Sequence, residues 1–399
     1  VKKFSIFCGR EHHYKRLHSV VSELENRGCE TGFYISDNGW NIDPASAYLT
    51  RYGQTFKHSL DYYSPDSTPV VSNMVQKALL GFGIPEFDND LFGSIDPHSI
   101  VYALREFSEF LVATDKMLDI EKPDSVLILH SNNAWCRALA YLCSERQIPV
   151  SSFQEGLLRN RDQETQGKQS SAADYVSTLF VWSEASRQAY LAAGIPEEKI
   201  VVTGMSHLDQ YLTLIQEGKI NKPYIKAQFG FRPSQTLITL ALPQLSRFDG
   251  DVNVTLTQMS EWASKNLVQL AIRLHPFESP DSVMSLQNGI KNPMVKVITQ
   301  GELPELILAS DVVVSQHSTA AVEALALGVP LAEIDLSNFG VLESLASQHV
   351  AISINSGELD KLLKPMDGII PQVLVPWKVT NLGQLDGHAT ERIVDRLLA

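Results

Sequence analysis

Two short stretches in the C-terminal half combine residue types that hold anions. Arg273-Leu274-His275-Pro276-Phe277-Glu278 follows the apolar run Val268-Gln269-Leu270-Ala271-Ile272. Ser315-Gln316-His317-Ser318-Thr319-Ala320-Ala321-Val322-Glu323 follows Asp311-Val312-Val313-Val314. Each places polar side chains where a buried strand should end, the edge at which open α/β sheets bind ligands. The second stretch also opens a helix, whose first N–H groups and hydroxyls suit a phosphate. Together they point to a nucleotide-linked donor held by its phosphates.

The elements that must position these residues follow a strand–helix alternation along almost the whole chain, which argues for an α/β fold with parallel sheets. Strands are predicted at 2–8, 31–36, 125–129, 148–153, 179–182 and 200–204, with helices at 11–27, 97–119, 133–146 and 184–193. Residues 40–95 read as loops and short helices. A second series has strands at 236–243, 268–274, 294–299, 311–315 and 329–334, a helix at 318–327 and a terminal helix at 388–398. The length of 399 residues exceeds one ordinary core. The expected division is an N-terminal Rossmann-like domain at 1–210, a C-terminal nucleotide-binding one at 211–385, and a last helix at 386–399 packing back on the first domain.

With 44% hydrophobic and 20% charged residues the composition is that of a globular protein. A formal net charge of −13 argues against a nucleic-acid partner, which needs a basic surface. No run of about 18 apolar residues suggests a membrane span. The opening Val1-Lys2-Lys3-Phe4-Ser5-Ile6-Phe7-Cys8 reads as a buried strand rather than a signal peptide. The 4 cysteines form no Cys-x-x-Cys pair, and Cys136 and Cys143 share one helix face as packing residues. This usage suits a reducing cytoplasm. No Asp-x-Asp and no His-x-x-x-His with a third ligand occurs, so neither a metal nor another cofactor is expected.

Several phrases resemble the GT-B glycosyltransferase superfamily, and within it bacterial surface-polysaccharide enzymes: polysialyltransferases, capsular Kdo transferases and CDP-glycerol glycerophosphotransferases. They are Lys122-Pro123-Asp124-Ser125-Val126-Leu127, Gln154-Glu155-Gly156, Ala193 through Gly204, Arg273-Leu274-His275-Pro276, Ser315 through Glu323, and Asp386-Gly387-His388-Ala389-Thr390-Glu391-Arg392-Ile393. The UDP-N-acetylglucosamine 2-epimerases are a cousin group. The resemblance spans 120–335 and the last helix, and implies two Rossmann-like domains facing each other across a cleft. Gln154 departs from the acidic-acidic-Gly pattern, which leaves Glu155 as the carboxylate.

The chemistry implied is inverting, metal-independent glycosyl transfer from a nucleotide-activated donor to a surface-polysaccharide or other glycan acceptor. Glu155, just past a strand end, is the expected base, against the alternative of a solvated or capping Glu. His275, restrained by Pro276, is expected to stabilise or protonate the leaving phosphate. Arg273 lies on the same side of its strand and can share that charge or pair with Asp335 or Glu323. Ser318 and Thr319 grip the phosphate or simply cap a helix, with Ser315 and His317 nearby. Glu323 reads equally as a ribose ligand, by resemblance, or a helix salt bridge. Gln244 and Gln300 end neighbouring strands and are placed on the donor side. Arg10, His12 and His13 border the acceptor side, although His12-His13 equally suits a solvated helix start.

The donor is CMP-, CDP- or UDP-linked, with an acidic sugar on CMP fitting the His-Pro and Ser-Thr pairing. The acceptor is a glycan or lipid-linked, which allows peripheral membrane association at the cytoplasmic face. Three alternatives stand beside transfer: a CDP-glycerol-type glycerophosphotransferase, a UDP-sugar 2-epimerase-like enzyme using Asp124 and Glu155, and a non-catalytic nucleotide-sugar-binding subunit.

Overall fold

In the computed structural model the described residues are 1–9, 11–36, 45–81, 97–129, 134–156, 175–242, 252–275, 278–316, 318–334, 344–367 and 369–399. The chain divides into two units. The first contains Val1–Glu155 and Ala189–Val201, and the second contains Trp182–Gln188 and Val202–Ala399.

The first unit begins with β1 (Lys3–Cys8), α1 (Glu11–Asn26), β2 (Glu30–Ile35), α2 (Ala45–Arg51), β3 (Phe56–His58) and α3 (Thr68–Gly81). It continues through α4 (Pro97–Glu121), β4 (Ser125–Leu129), α5 (Ala134–Glu145), β5 (Val150–Phe153), β6 (Thr178–Val181), α6 (Glu184–Ala192), which the division cuts after Gln188, and β7 (Ile200–Val202). The strands form one sheet in the order β3-β2-β1-β4-β5-β6-β7, and the registered pairs are parallel. β4 and β5 are buried at every position, as strands covered by helices on both faces must be. Phe7, Tyr34, Phe110, Met117, Ile128 and Leu139 fill one side of this sheet. Cys136 and Cys143 lie in that cluster as packing residues.

The second unit contains α7 (Asp209–Gln216), α8 (Lys222–Gln228), β8 (Leu237–Ala241), α9 (Val252–Lys265), β9 (Gln269–Arg273) and α10 (Pro280–Gly289). Then come β10 (Val295–Ile298), α11 (Leu303–Ala309), β11 (Val312–Ser315), α12 (Thr319–Ala326), β12 (Leu331–Ile334), β13 (Ile352–Ile354), α13 (Pro371–Leu382) and α14 (Ala389–Leu398). Its parallel sheet runs β10-β9-β8-β11-β12-β13. Both sheets therefore start in the middle, build outward one way and then reverse, the doubly wound order with its switch point beside the first strand. In the second unit that point lies between β8 and β11. α12 turns directly back from β11, and it stops where Gly328, at φ +78°, lets Val329 N–H reach Ala324 O.

The chain enters the second unit at Trp182–Gln188, returns to the first over Ala189–Val201, and stays in the second from Val202. The terminal helix packs on residues 203–213 of its own unit: Arg392 donates to Thr203 O at 2.7 and 2.9 Å, and Thr390 N–H donates to Asp209 at 2.6 Å. Residues 40–95 carry more order than expected, namely α2, β3 and the helix α3. Among the described residues no helix is long and apolar enough to cross a membrane.

Candidate functional site

At the carboxyl end of the second sheet one register line crosses six strands. Ile298 pairs with Arg273, Arg273 with Ala241, Ala241 with Ser315, Ser315 with Glu333, and Glu333 with Ser353. Residues in one line of a parallel sheet face the same side. The line thus gathers a guanidinium, two hydroxyls and a carboxylate at the end of strands that are mostly apolar.

The members of this line are held firmly. Arg273, half-buried, donates from Nη1 to Ile298 O and Gln300 O, each at 3.3 Å. It therefore fixes the loop after β10, where Gln300 is exposed and engaged through its carbonyl. The same loop turns at Gly301, φ +84°, against the ring of Phe229, a position a Cβ would occupy at 2.6 Å. Ser315 is buried and donates to Ala241 O at 3.2 Å across the switch point. Glu333 is buried and accepts from Ser344 Oγ at 2.6 Å and Ala346 N at 2.8 Å. His275 is half-buried two residues beyond Arg273, and its carbonyl accepts Glu278 N–H at 3.0 Å. Glu278 itself is buried.

α12 begins at the same edge. Ser318 is its N-cap, with Oγ accepting Ala320 N–H at 3.2 Å. The cap leaves the helix start oriented along the end of β11, where the N-terminal partial charge of the helix attracts an anion. Thr319 is half-buried in the first turn. Its Oγ1 lies within van der Waals reach of Gly156, which clusters with this unit: a Cβ on that glycine would stand 3.6 Å away. The rest of the helix, Ala320–Ala326, is buried, and its alanines allow close packing against the sheet.

Glu323 is the exception in that apolar helix. It is 3% exposed, and a carboxylate so deep requires a partner. Its Oε1 stands 3.4 Å from His207 Nε2, and the His207 ring lies 6.1 Å from that of Trp182. The ion partner comes from another element, not from within the helix. Neither His207 nor Trp182 was indicated by its local sequence. The signal that points to them is physical: an acid amid Ala, Val and Leu must be answered from elsewhere in the fold.

In the first unit the corresponding edge is less polar. Leu129, Phe153 and Phe180 form its line, with the Phe153 and Phe180 rings 5.1 Å apart. Gln154 is buried and extends the ladder by donating to Phe180 O at 3.0 Å. Glu155 follows, half-buried, beside Cys136 and Tyr190. Burial first, and then the Glu155 charge, pushes the Cys136 thiol up and the Tyr190 phenol to about 12. Both groups stay neutral around that carboxylate at physiological pH.

His13 is 2% exposed, so the solvated reading of this residue is corrected. Its Nδ1 accepts Gly9 N–H at 3.3 Å and caps the strand-to-helix turn. Asp124 sits at the opposite, amino-terminal end of β4, where it accepts Lys3 N–H at 2.7 Å. That placement removes it from the edge occupied by Glu155. Arg10, Gln244, Pro276, His317 and Asp335 lie outside the described residues, as does the side chain of His12. Among the described residues no group of three or more His, Cys, Asp or Glu is arranged to hold a metal ion.

No protein-family model matches the chain, and no curated protein matches it. Solved structures do. The UDP-GlcNAc 2-epimerase of Neisseria meningitidis, bound to UDP-GlcNAc, superposes with a TM-score of 0.62 at 18% identity over 100% of both chains. The enzyme of the same name from Methanocaldococcus jannaschii gives 0.62 at 17% over 99% of both. CalG4, the calicheamicin glycosyltransferase, gives 0.57 at 14% over 100% of this chain and 98% of its own. The chain thus has the two-domain α/β fold of the GT-B type that these enzymes share.

Proposed function

We propose that this chain is an enzyme acting on a nucleotide-linked sugar, with the nucleotide phosphates bound where β8 and β11 end. The observation that carries the proposal is the register line that brings Arg273 and Ser315 to one sheet edge, immediately before the capped start of α12. A phosphate there would meet helix N–H groups and a guanidinium on the same edge, and His275 is the proposed donor to it as the sugar–phosphate bond breaks. These groups offset the phosphate charge themselves, so the proposed chemistry uses no metal.

The first reading is UDP-sugar 2-epimerase-like. End-to-end likeness to two UDP-GlcNAc 2-epimerases supports it. Inversion at a carbon next to the anomeric centre requires removing a proton and returning one to the opposite face. As the base takes the C2 proton, the C–H electron pair forms a C1–C2 double bond and the nucleotide leaves C1 with the C–O bonding pair. Re-addition of the nucleotide at C1 and of a proton to the opposite face of C2 completes the inversion. Glu155 is the proposed base and His275 the stabiliser of the departing phosphate.

The second reading is inverting glycosyl transfer, in which Glu155 takes the proton of an acceptor hydroxyl. The position of Asp124 favours it, because transfer needs one base whereas epimerisation was expected to recruit both carboxylates. Under this reading the donor is UDP-, CMP- or CDP-linked. The acceptor is a surface-polysaccharide or lipid-linked glycan on the cytoplasmic side of a membrane, and glycerophosphate transfer is the variant for a CDP-glycerol donor.

Incubating the full chain with UDP-GlcNAc alone in D2O separates the readings. Deuterium at C2 together with the C2 epimer supports epimerisation. UDP binding without exchange, followed by turnover once a glycan acceptor is added, supports transfer. A melting temperature unmoved by UDP, CMP or CDP overturns the proposal, since a ligand of the folded state must raise it.

A further inference from the structure

Beside β13, the last strand of the second sheet, lies a cavity of about 930 Å³. Its size falls within the range of roughly 300–1,000 Å³ common to small-molecule sites. It belongs to a different part of the unit from the β8–β11 switch point, with β12 between them. One wall is held from inside the fold: Ser344 and Ala346, which line the cavity, are the two groups that donate to the buried Glu333. That carboxylate fixes the wall and makes the cavity part of the folded structure rather than a gap between loops.

The lining is mixed in a specific way. Lys361 and Lys364 contribute cations and Asp360 and Asp367 anions. Lys361 Nζ is already bonded to Glu358 at 2.6 Å, and Asp360 accepts Trp262 Nε1–H at 2.7 Å. Lys364 and Asp367 are exposed at the rim, offering a donor and an acceptor of opposite charge. Leu363, exposed, supplies apolar surface, and Ser353, exposed on β13, supplies a hydroxyl, while Ile352 faces the core.

A phosphate or carboxylate ligand would meet Asp360 and Asp367, and a cationic one would meet Lys361 and Lys364. A hydroxyl donates and accepts at once, so it can use both kinds of group. We propose that this cavity is a second ligand site for an uncharged polyhydroxylated molecule, an oligosaccharide, whose C–H face rests on Leu363 while its hydroxyls bridge Lys364, Asp367 and Ser353. The inference does not depend on the proposed function: Ser353 lies at the far end of the same register line, but the proposed phosphate site, at the ends of β8 and β11, uses none of the lining residues.

The test is saturation-transfer NMR on the full chain with N,N′-diacetylchitobiose and with maltotriose, each with and without saturating UDP. Transfer to at least one sugar is expected, undiminished by UDP. It should be lost in Ser353→Trp, which fills the cavity, and fall several-fold in the double variant K364A/D367A, which leaves the apolar surface intact. Should S353W fail to melt cooperatively, the double variant decides alone. Transfer abolished by UDP, transfer equal in wild type and variants, or no transfer to either sugar overturns the proposal.

Discussion

The two sheets share a strand order and differ in what their edges carry. At the carboxyl edge the second sheet presents Arg273, Ser315, Glu333 and a capped helix start, whereas the first presents Leu129, Phe153 and Phe180 followed by a single carboxylate, Glu155. At the amino edge both are closed by charge. In the first unit Glu121 gathers Lys3, Lys57 and the Tyr62 hydroxyl. In the second Asp311 gathers Lys222, Lys226 and Leu237 N–H. The difference separates two uses of charge in one topology. Amino-edge ions are spent among themselves and hold strands in place, while the carboxyl edge of one unit carries a guanidinium, a hydroxyl and a capped helix start and that of the other a carboxylate among neutral neighbours.

The sharpest way to break this comparison is to alter Glu155. With a substrate that turns over, Glu155→Gln is expected to lower kcat by about 10²–10⁴-fold, the range of a general base. Nucleotide affinity, assigned to the other unit, should stay unchanged by calorimetry. Equal loss of affinity would show that Glu155 holds the donor, and the division of labour would be wrong.

Next in size is Asp311→Ala. Lys226 is 5% exposed, and the substitution removes the counter-charge of its ammonium, leaving it the Gln235 carbonyl at 2.8 Å. Removing one partner of a buried pair costs about 3 kcal/mol or more, and a somewhat smaller loss is expected here because Asp311 is itself partly open to water. Urea denaturation should show the loss, with affinity for UDP unchanged. Burial alone would raise the Asp311 pKa, but the hydrogen bonds from Lys222, Lys226 and the Leu237 N–H outweigh it and lower the value. The hydrogen bonds of Lys57 and then Tyr62 lower Glu121 to about 2. Both groups have folded pKa values below their unfolded ones. Their stabilisation is complete above the ordinary carboxylate range of about 4 and is lost as pH falls through the folded values.

Ser318→Gly separates the two uses of one hydroxyl. Glycine is a tolerable N-cap, so stability should change by only a few tenths of a kcal/mol. If the hydroxyl also bonds phosphate, UDP affinity should fall about 5-fold, the equivalent of roughly 1 kcal/mol for one hydrogen bond. Loss of stability without loss of affinity would return Ser318 to capping alone.

What the sequence revealed follows the same contrast. Buried parallel strands such as Ser125–Leu129 and Val312–Ser315 are continuous apolar runs, so they and the polar residues at their ends are readable in one dimension. Short edge strands are not. β3 and β13 have three residues each and no apolar run, and α13 contains Pro376, which argues locally against a helix. Its inward residues Leu374 and Trp377 pack on the core and override that preference. Glu323 was visible as a helical acid, but His207 reaches it from more than a hundred positions away, and no local pattern encodes such a pairing. Asp124 shows the converse: its motif drew attention, and only the strand direction places it at the structural edge.

The smallest expected effect tests whether every buried acid away from the site behaves like the amino-edge anchors. Asp209 opens α7 and accepts Ala389 N–H at 3.3 Å and Thr390 N–H at 2.6 Å, capping α14 from outside that helix. Burial raises its pKa, and the hydrogen bonds from Thr390 and Ala389 and the charge of Arg392 only partly oppose this. The sign is therefore opposite to that of Glu121 and Asp311. The contribution from its protonated form is fully present below the unfolded value of about 3.9 and is lost as pH rises through the raised folded value. Asp209→Asn keeps an oxygen acceptor and removes the ionisation. It should change stability at neutral pH by less than about 0.5 kcal/mol and flatten the pH dependence just above pH 4. Asp209→Ala removes the cap and should cost about 1 kcal/mol. Urea melts of both variants from acid to neutral pH provide the readout. Unchanged pH dependence in the Asn variant would mean that α14 is held by the Arg392 contacts to Thr203 and Asp386, with Asp209 serving only as a neutral acceptor.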